Sequence, residues 1–188
     1  MKALKRKHTS LTEEVENKLN KQIKMEGMSS QFYLSCASWC HKEGYEQSSK
    51  FLYQHSEEER IHMLKIFHYV NNAGGHAIAP ELTDIRHQFG SLREVFESVL
   101  EHEVAVTKSI SKLVDTCFEA KDFLTFQFMQ WFIAEQREEE ELARRVIELF
   151  DLIGEEGQGL WLIDQEIGKL GAAAAKDTAG ADAETQNA

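Results

Sequence analysis

The stretch HSEEERIHM, residues 55–63, contains an acid and a histidine three positions apart. Side chains three residues apart lie on the same face of a helix, so Glu59 and His62 converge on one point. A carboxylate beside an imidazole suits iron or manganese better than a thiolate-preferring metal, although the pattern does not exclude zinc. A solvated charged face is the alternative interpretation, because E-x-x-H also occurs by chance in charged helices.

Acids also interrupt the apolar stripes of three other predicted helices. Glu26, Glu103 and Glu139 occupy positions where the residues seven apart are mostly apolar, and Gln136 stands three residues before Glu139. Each interruption lies near the middle of its helix, and the middles of antiparallel helices meet at one level. Burying isolated carboxylates is costly, and few bases share these faces. The pattern therefore predicts that multivalent cations neutralise a buried acidic cluster.

Start and stop signals divide the chain into five helical segments. A capping box at Ser10 and Glu13 opens the first, Gly44 ends it, and a second capping box at Ser91 and Glu94 opens the third. The predicted helices cover residues 10–43, 46–73, 91–119, 122–153 and 160–170. A helix of roughly 30 residues is about 45 Å long, which is typical of a bundle.

The connections between these segments predict the topology. The links after the first and third helices are very short, which makes those pairs antiparallel, whereas the middle link can run the length of a bundle. We therefore expect an all-α four-helix bundle with one long crossover and a short fifth C-terminal helix. The domain would cover residues 10–170, between a basic N-terminal tail, 1–9, and a disordered tail, 171–188.

Composition limits the partners. The 188 residues carry a formal charge of -11, which disfavours nucleic acid and favours small cations. No run of about 18 apolar residues predicts a membrane span, and no apolar stretch follows the basic N-terminus as in a signal peptide. These features predict a cytoplasmic protein. The three cysteines are odd in number and lie in helical patterns, so we expect reduced core residues.

The sequence resembles the bacterial non-heme ferritins over residues 10–170. The stretches EGMSSQFYLSCASWC, FMQWFIAEQREEEE and GLWLIDQEIGKL look like the first, fourth and fifth ferritin helices. Ferritin-like di-iron bundles take a Glu from each of two helices and Glu-x-x-His from the other two. Here Gln136-x-x-Glu139 replaces the second Glu-x-x-His, which is the ferritin pattern rather than the bacterioferritin pattern.

The resemblance implies a set of iron ligands. Glu26, Glu59 and His62 would bind one iron, and Glu59 would bridge to a second iron bound by Glu103 and Glu139, with Gln136 close by. A third, looser iron position would correspond to Glu58, Glu135, Glu138 and Glu139. Tyr33 matches the family tyrosine that can supply an electron during oxygen reduction. Trp131 also matches a family residue, with packing as its expected role.

The resemblance further implies ferroxidase activity with oxygen or hydrogen peroxide and storage of a ferric oxy-hydroxide mineral. It implies a shell of twenty-four subunits, with the region near Asp122 at threefold pores. Heme is not expected, because Arg60 stands where bacterioferritins place the heme-binding Met after the bridging Glu. The intrabundle ligands and the fifth helix also distinguish the chain from the smaller Dps relatives.

Two other functions stay open at this stage. A di-iron oxidase or hydroxylase would need a pocket for an organic substrate, whereas aromatic residues such as Phe128 and Phe132 crowd this bundle. A shell that buffers metal with little oxidase activity would keep the same carboxylates. A rubrerythrin-like peroxidase would carry a C-x-x-C iron module, which this sequence lacks.

Overall fold

A computed structural model describes residues 9–185 of the chain, with side chains up to residue 173. Its five helices are α1 (Glu13–Glu43), α2 (Glu46–Asn72), α3 (Leu92–Glu119), α4 (Phe123–Ile153) and α5 (Gly159–Thr185). Residues 1–8 of the predicted basic tail and the last three residues lie outside this description. None of the helices in the described part is long and apolar enough to cross a membrane.

The four long helices form the predicted bundle. α1 packs against α2 and α3 packs against α4, so each short connection closes a hairpin, and α1 also contacts α3. The segment between α2 and α3 crosses along the bundle and is tied to α1, where Asn20 accepts a 2.8 Å hydrogen bond from the backbone N–H of Ile78. Ser35 donates a 2.6 Å hydrogen bond to the backbone carbonyl of Arg86. The all-α fold with one long crossover is therefore confirmed.

The first helix begins two residues later than the capping box predicts. Thr12, not Ser10, accepts the capping hydrogen bond, 3.3 Å from the N–H of Val15. Leu11 is buried, and its N–H donates to the hydroxyl of Thr9, which itself donates to the carbonyl of Ala73. Residues 9–11 are thus held against the end of α2, and the helix begins after Thr12.

The third helix begins as predicted. The Ser91 hydroxyl accepts a 3.1 Å hydrogen bond from the N–H of Glu94, as an N-cap should. The Glu94 carboxylate departs from the standard capping box, because it accepts from the N–H of Gly90 instead of that of Ser91. At the start of α4, Asp122 accepts a 3.0 Å hydrogen bond from the N–H of Thr125.

The fifth helix extends beyond residue 170. The sequence pattern predicted that it would end there and that a disordered tail would follow. Gly171 is not a stop signal here: a Cβ at that position would lie 2.9 Å from the ring of Phe51, so the glycine allows α5 to approach α2 closely. The run of alanines after Gly171 then favours helix, because alanine has the highest helix propensity. The helix continues to Thr185.

Two separate apolar cores lie along the bundle. One core joins the second half of α1 to the first half of α2. It also contains the first turns of α3, the second half of α4 and part of α5. The other contains the first turns of α1, the second half of α2, the second half of α3 and the start of α4. The polar layer between them contains Glu26, Glu59, Glu103 and Gln136, all buried. The fold thus concentrates acidic side chains at mid-bundle, where the sequence predicted them.

The three cysteines are packing residues. Cys36 and Cys40 belong to one apolar core and Cys117 to the other, and all three are free and buried. Burial raises the pKa of the Cys40 thiol to about 12, so it stays protonated and unreactive. This agrees with the predicted role of reduced core cysteines.

Candidate metal centre

One group of ligand atoms forms where α1 and α2 face each other. Glu26, Glu59 and His62 offer a carboxylate oxygen, a second carboxylate oxygen and a ring nitrogen that all lie within 4.8 Å of one another. The three side chains are buried. Because Glu59 and His62 are three residues apart on α2, the helix itself aims both at Glu26 on α1.

Glu59 carries an oxygen without a hydrogen-bond partner. Within the described residues, its Oε2 is the one buried side-chain polar atom that lacks a partner. Nδ1 of His62 lies 3.6 Å from this oxygen, beyond ordinary hydrogen-bond distance. A buried, unpartnered carboxylate oxygen is costly, so its presence at this position fits a cation ligand.

Glu103 on α3 lies on the other side of the layer and is fully buried. The hydroxyl of Tyr33 donates to its Oε1, while the amide of Gln136 donates to its Oε2 at 2.5 Å and to its backbone carbonyl at 3.1 Å. Gln136, predicted to lie close to the second iron, therefore lies beside Glu103 as a hydrogen-bond donor. These two neighbours fix the orientation of the Glu103 carboxylate.

The centre holds more acid than local base, and the carboxyl pKa values reflect this. Burial, followed by the neighbouring Glu59 charge, raises the pKa of Glu26 well above its usual range. Burial and then Glu103 do the same for Glu59. Burial and then the Glu139 charge raise the pKa of Glu103 to about 7. Such acids hold protons in the metal-free protein and can exchange them for a cation.

Glu139 on α4 behaves differently from the other central acids. Burial acts to raise its pKa, but the opposing attraction of His55 prevails, and the pKa falls below its usual value. Its Oε2 is 3.2 Å from Nδ1 of His55. Glu139 is therefore the carboxylate that is most readily ionised at the centre.

The acids predicted for a third position are only partly brought together. Glu58 and Glu139 meet around His55, and ligand atoms of these three residues lie within 4.8 Å of one another. Glu135 is half-buried and Glu138 is exposed, and neither belongs to this group. Sequence reasoning missed His55 as a member, although its position seven residues before His62 on the buried face of α2 was a usable signal.

Comparison with known proteins is consistent with this geometry. Residues 16–153 match the Ferritin-like domain family. The chain belongs to this family. A probable bacterial non-heme ferritin-like protein of Haemophilus influenzae is 41% identical over 160 residues, which cover 85% of this chain and 97% of that protein. The bacterial non-heme ferritin of Campylobacter jejuni is 41% identical over 157 residues, covering 84% of this chain and 94% of the relative.

Solved ferritin structures share the fold of this ferritin. The open-pore ferritin of the hyperthermophilic archaeon Archaeoglobus fulgidus superposes with a TM-score of 0.82 at 37% sequence identity. The match covers 85% of this chain and 97% of the archaeal chain. The superposition covers nearly the whole archaeal chain, so this chain has the bundle and the fifth helix of the family.

Two predicted aromatic residues border the centre of this ferritin. Tyr33 is buried against Glu103, and burial followed by the Glu103 charge raises the pKa of its hydroxyl well above the usual range. Trp131 meets the ring of His62 edge-on at 5.3 Å, and the ammonium of Lys65 lies 3.1 Å above its indole. Tyr33 thus contacts a candidate ligand by hydrogen bond, whereas Trp131 packs against one.

A hydrogen-bonded pair supports Glu26 and was not found from sequence. The amide of Gln22, one turn earlier on α1, donates a 2.8 Å hydrogen bond to Oε1 of Glu26. Ser109 on α3 donates to the carbonyl of the same amide at 2.6 Å. Gln22 is buried, so a polar residue one turn before Glu26 on the apolar stripe was the available signal. The pair fixes one oxygen of Glu26 and leaves the other for a cation.

Proposed function

We propose that this ferritin stores iron and has ferroxidase activity, oxidising Fe²⁺ to Fe³⁺ with oxygen or hydrogen peroxide and keeping the product as a ferric oxy-hydroxide mineral. The observation that carries the proposal is the unpartnered, buried oxygen of Glu59 amid other buried acids. Carboxylate oxygens with a single imidazole suit iron, and the family of this chain uses such bundles for iron.

Two iron ions would share Glu59. Glu26, Glu59 and His62 would bind the first, which the mutual approach of their ligand atoms supports. Glu103 and Glu139 would bind the second together with Glu59, and the repulsion of Glu103 by Glu139 supports their proximity. Gln136 would act through Glu103, to which it donates its hydrogen bond.

The side chains favour oxidation of Fe²⁺ by stabilising the higher charge of the product. Anionic oxygen ligands bind Fe³⁺ more tightly than Fe²⁺, which lowers the potential of the bound ion. The raised pKa values of Glu26, Glu59 and Glu103 favour their protonated forms, so cation binding would release protons and limit the rise in net positive charge at the centre. Tyr33 can give one electron to the oxidant while its hydroxyl proton moves to Oε1 of Glu103.

Mineral storage requires a closed container, and we infer a shell of twenty-four subunits, as the family resemblance implies. Exposed apolar side chains at the turn between α3 and α4 support burial against other subunits: Phe118, Phe123 and Leu124 are 64%, 61% and 72% exposed. Asp122, predicted near a threefold pore, caps α4 and accepts hydrogen bonds from Thr125. We also propose a cytoplasmic location and no bound heme. Arg60, which stands at the position of the heme ligand in bacterioferritins, is exposed.

The direct test mixes apoprotein with Fe²⁺ in air and follows ferric absorbance, with molar mass measured by light scattering. We expect oxidation much faster than in buffer, retention of the ferric product in a large shell, and loss of the fast phase in Glu26→Ala and His62→Ala. His68→Ala, an exposed histidine on the same helix as His62, is the control. Oxidation at the buffer rate would contradict the proposal.

A further inference from the structure

Gln22 is a buried polar residue on the face of α1 that packs into the bundle. It is 1% exposed, and Leu19 and Ile23 on either side of it along the helix are fully buried apolar residues. Burying an amide is costly unless both of its ends are hydrogen-bonded, so an apolar side chain would serve packing alone at a lower cost. An amide at this position therefore points to a role beyond packing.

The two ends of this amide bond to residues of different helices. Its Nε2 donates a 2.8 Å hydrogen bond to Oε1 of Glu26, one turn later on α1. Its Oε1 accepts a 2.6 Å hydrogen bond from the hydroxyl of Ser109 on α3, the helix that also carries Glu103. Ser109 is half-buried. A hydroxyl near the surface of α3 is thus linked to a candidate iron ligand on α1 through the amide of Gln22.

The Ser109 hydroxyl favours one of the two orientations of the amide. An ionised carboxylate only accepts hydrogen bonds, so the amide nitrogen must face Glu26, and the amide oxygen then needs a donor on its other side. The hydroxyl of Ser109 is that donor. Without the hydroxyl, the amide oxygen of Gln22 would lose this partner and the amide would be held less firmly.

We propose that Gln22 and Ser109 are positioning residues that set the affinity of the first iron position. Because the amide engages Oε1 of Glu26, the other oxygen is left to bind Fe²⁺ together with Glu59 and His62. A carboxylate that is already oriented loses less conformational freedom when the cation binds. This inference rests on the proposed function, since the cation is the Fe²⁺ that the centre would oxidise.

Loss of this positioning should affect the binding of Fe²⁺ more than its oxidation. The iron ligands themselves stay in place, so the maximal rate should change little, whereas the Fe²⁺ concentration at half-maximal rate should rise. A pair that only held α1 to α3 would behave differently. Its loss would lower the unfolding temperature and leave the dependence of the rate on Fe²⁺ concentration unchanged.

The test measures the initial rate of oxidation by the assembled protein as a function of Fe²⁺ concentration. Ser109→Ala should raise the half-saturating concentration about threefold, in keeping with the loss of one hydrogen bond. Gln22→Met, which keeps the length of the side chain but lacks the amide, should raise it about tenfold. Ser109→Thr keeps the hydroxyl and should stay near the unmodified protein. Ser111→Ala, at an exposed position of the same helix, is the control and should change nothing.

Three results of this measurement would overturn the proposal. The first is an unchanged half-saturating concentration in both Ser109→Ala and Gln22→Met. The second is an equal rise in Ser109→Ala and Ser109→Thr, because the hydroxyl would then not be the cause. The third is a fall in the maximal rate of these variants at an unchanged half-saturating concentration.

Calorimetric titration of the metal-free protein with Zn²⁺, which binds without oxidation, separates failure of this inference from failure of the proposed function. The unmodified protein should bind Zn²⁺ more tightly than Ser109→Ala and Gln22→Met. If it does not oxidise Fe²⁺ but its Zn²⁺ affinity depends on Ser109, the ferroxidase proposal fails and the positioning role stands. If it oxidises Fe²⁺ rapidly and all variants bind Zn²⁺ equally, only the positioning role is refuted.

Discussion

Glu59 combines two properties that rarely occur together in a core residue: it is buried, and one of its oxygens lacks a hydrogen-bond partner. Its neighbours are mostly acids that burial has made hard to ionise. At the scale of single residues, these buried acids therefore lower the folding stability of the metal-free protein. A cation that binds the acids recovers that free energy, which links iron binding to folding stability.

Glu103 should make the apoprotein less stable as the pH rises. Its folded-state pKa of about 7 lies above the value of 4.5 for an exposed glutamate. Its favourable proton binding is therefore complete below pH 4.5 and is lost as the pH rises through 7. Glu103→Gln should stabilise the apoprotein at pH 8 by up to about 3 kcal/mol and have little effect at pH 4.5.

Thermal unfolding of metal-free protein at these two pH values measures the effect of Glu103→Gln. Glu101→Gln, at an exposed position on the same helix, is the control and should change the unfolding temperature little at either pH. A Glu103→Gln protein no more stable than the parent at pH 8 would show that this carboxyl is ordinarily ionised.

Tyr33→Phe tests the tyrosine as an electron donor. The change removes the hydroxyl that donates to Glu103 but keeps the ring against His55. We expect Fe²⁺ to bind anaerobically with the same stoichiometry, and the oxidation that follows to slow several-fold. Stopped-flow absorbance measures the rate, and Tyr53→Phe, on an exposed part of α2, is the control. An unchanged rate would limit Tyr33 to orienting Glu103.

Sequence reasoning identified the buried acids better than their partners. Glu26, Glu59 and Glu103 were found because each interrupts an apolar stripe near the middle of its helix, and the middles of antiparallel helices meet at one level; all three are buried. His55 and Gln22 are also polar residues on buried faces, but their roles depend on which side chain of another helix lies opposite. Those pairings depend on helix rotation and side-chain rotamers, which spacing along one helix does not determine.

At the scale of helices, α5 supplies the N-terminal cap of α2. The carboxylate of Asp164 accepts hydrogen bonds from the N–H groups of Gln47 and Ser48, at 3.2 and 2.8 Å, and from the hydroxyl of Ser48 at 2.7 Å. The first turn of α2 thus takes its cap from a helix more than a hundred residues later in the chain. Position and capping of α2 matter because this helix carries Glu59 and His62.

Asp164→Ala should destabilise the protein by about 1–2 kcal/mol, the usual cost of losing a helix N-cap acceptor. Asp164→Asn should restore part of the loss, because its amide oxygen still accepts a hydrogen bond. Thermal unfolding measures both. The control is Glu166→Ala, which removes only an exposed ion pair with Lys169. Equal stability of Asp164→Ala and the control would refute a capping role for α5.

Helix ends were predictable where the signal was local. The cap at Ser91 and the stop at Gly44 depend on residues within one turn, and the structure has both. The start of α1 and the length of α5 depend on distant contacts, with Ala73 in one case and Phe51 in the other. Tertiary packing therefore accounts for the late start of α1 and for the continuation of α5 through Gly171.

At the scale of the whole molecule, the apolar turn between α3 and α4 should be an assembly surface. Leu124→Glu places a charge on a side chain that is 72% exposed in the single subunit, so it should leave the bundle folded but weaken the shell. Light scattering should detect smaller species, while circular dichroism stays helical. Ser111→Glu adds the same charge at an exposed position of α3 and should leave assembly unchanged. An intact Leu124→Glu shell would exclude this turn from the interface.

The central claim is that Glu59 joins two iron positions in each subunit, and the number of Fe²⁺ ions oxidised in the first rapid phase tests it most directly. The unmodified protein should oxidise two per subunit in that phase, and Glu59→Gln should lose the phase. Glu57→Gln, an exposed acid two residues earlier in the same run, should keep it. A rapid phase that persists in Glu59→Gln at the same size and rate would contradict the account.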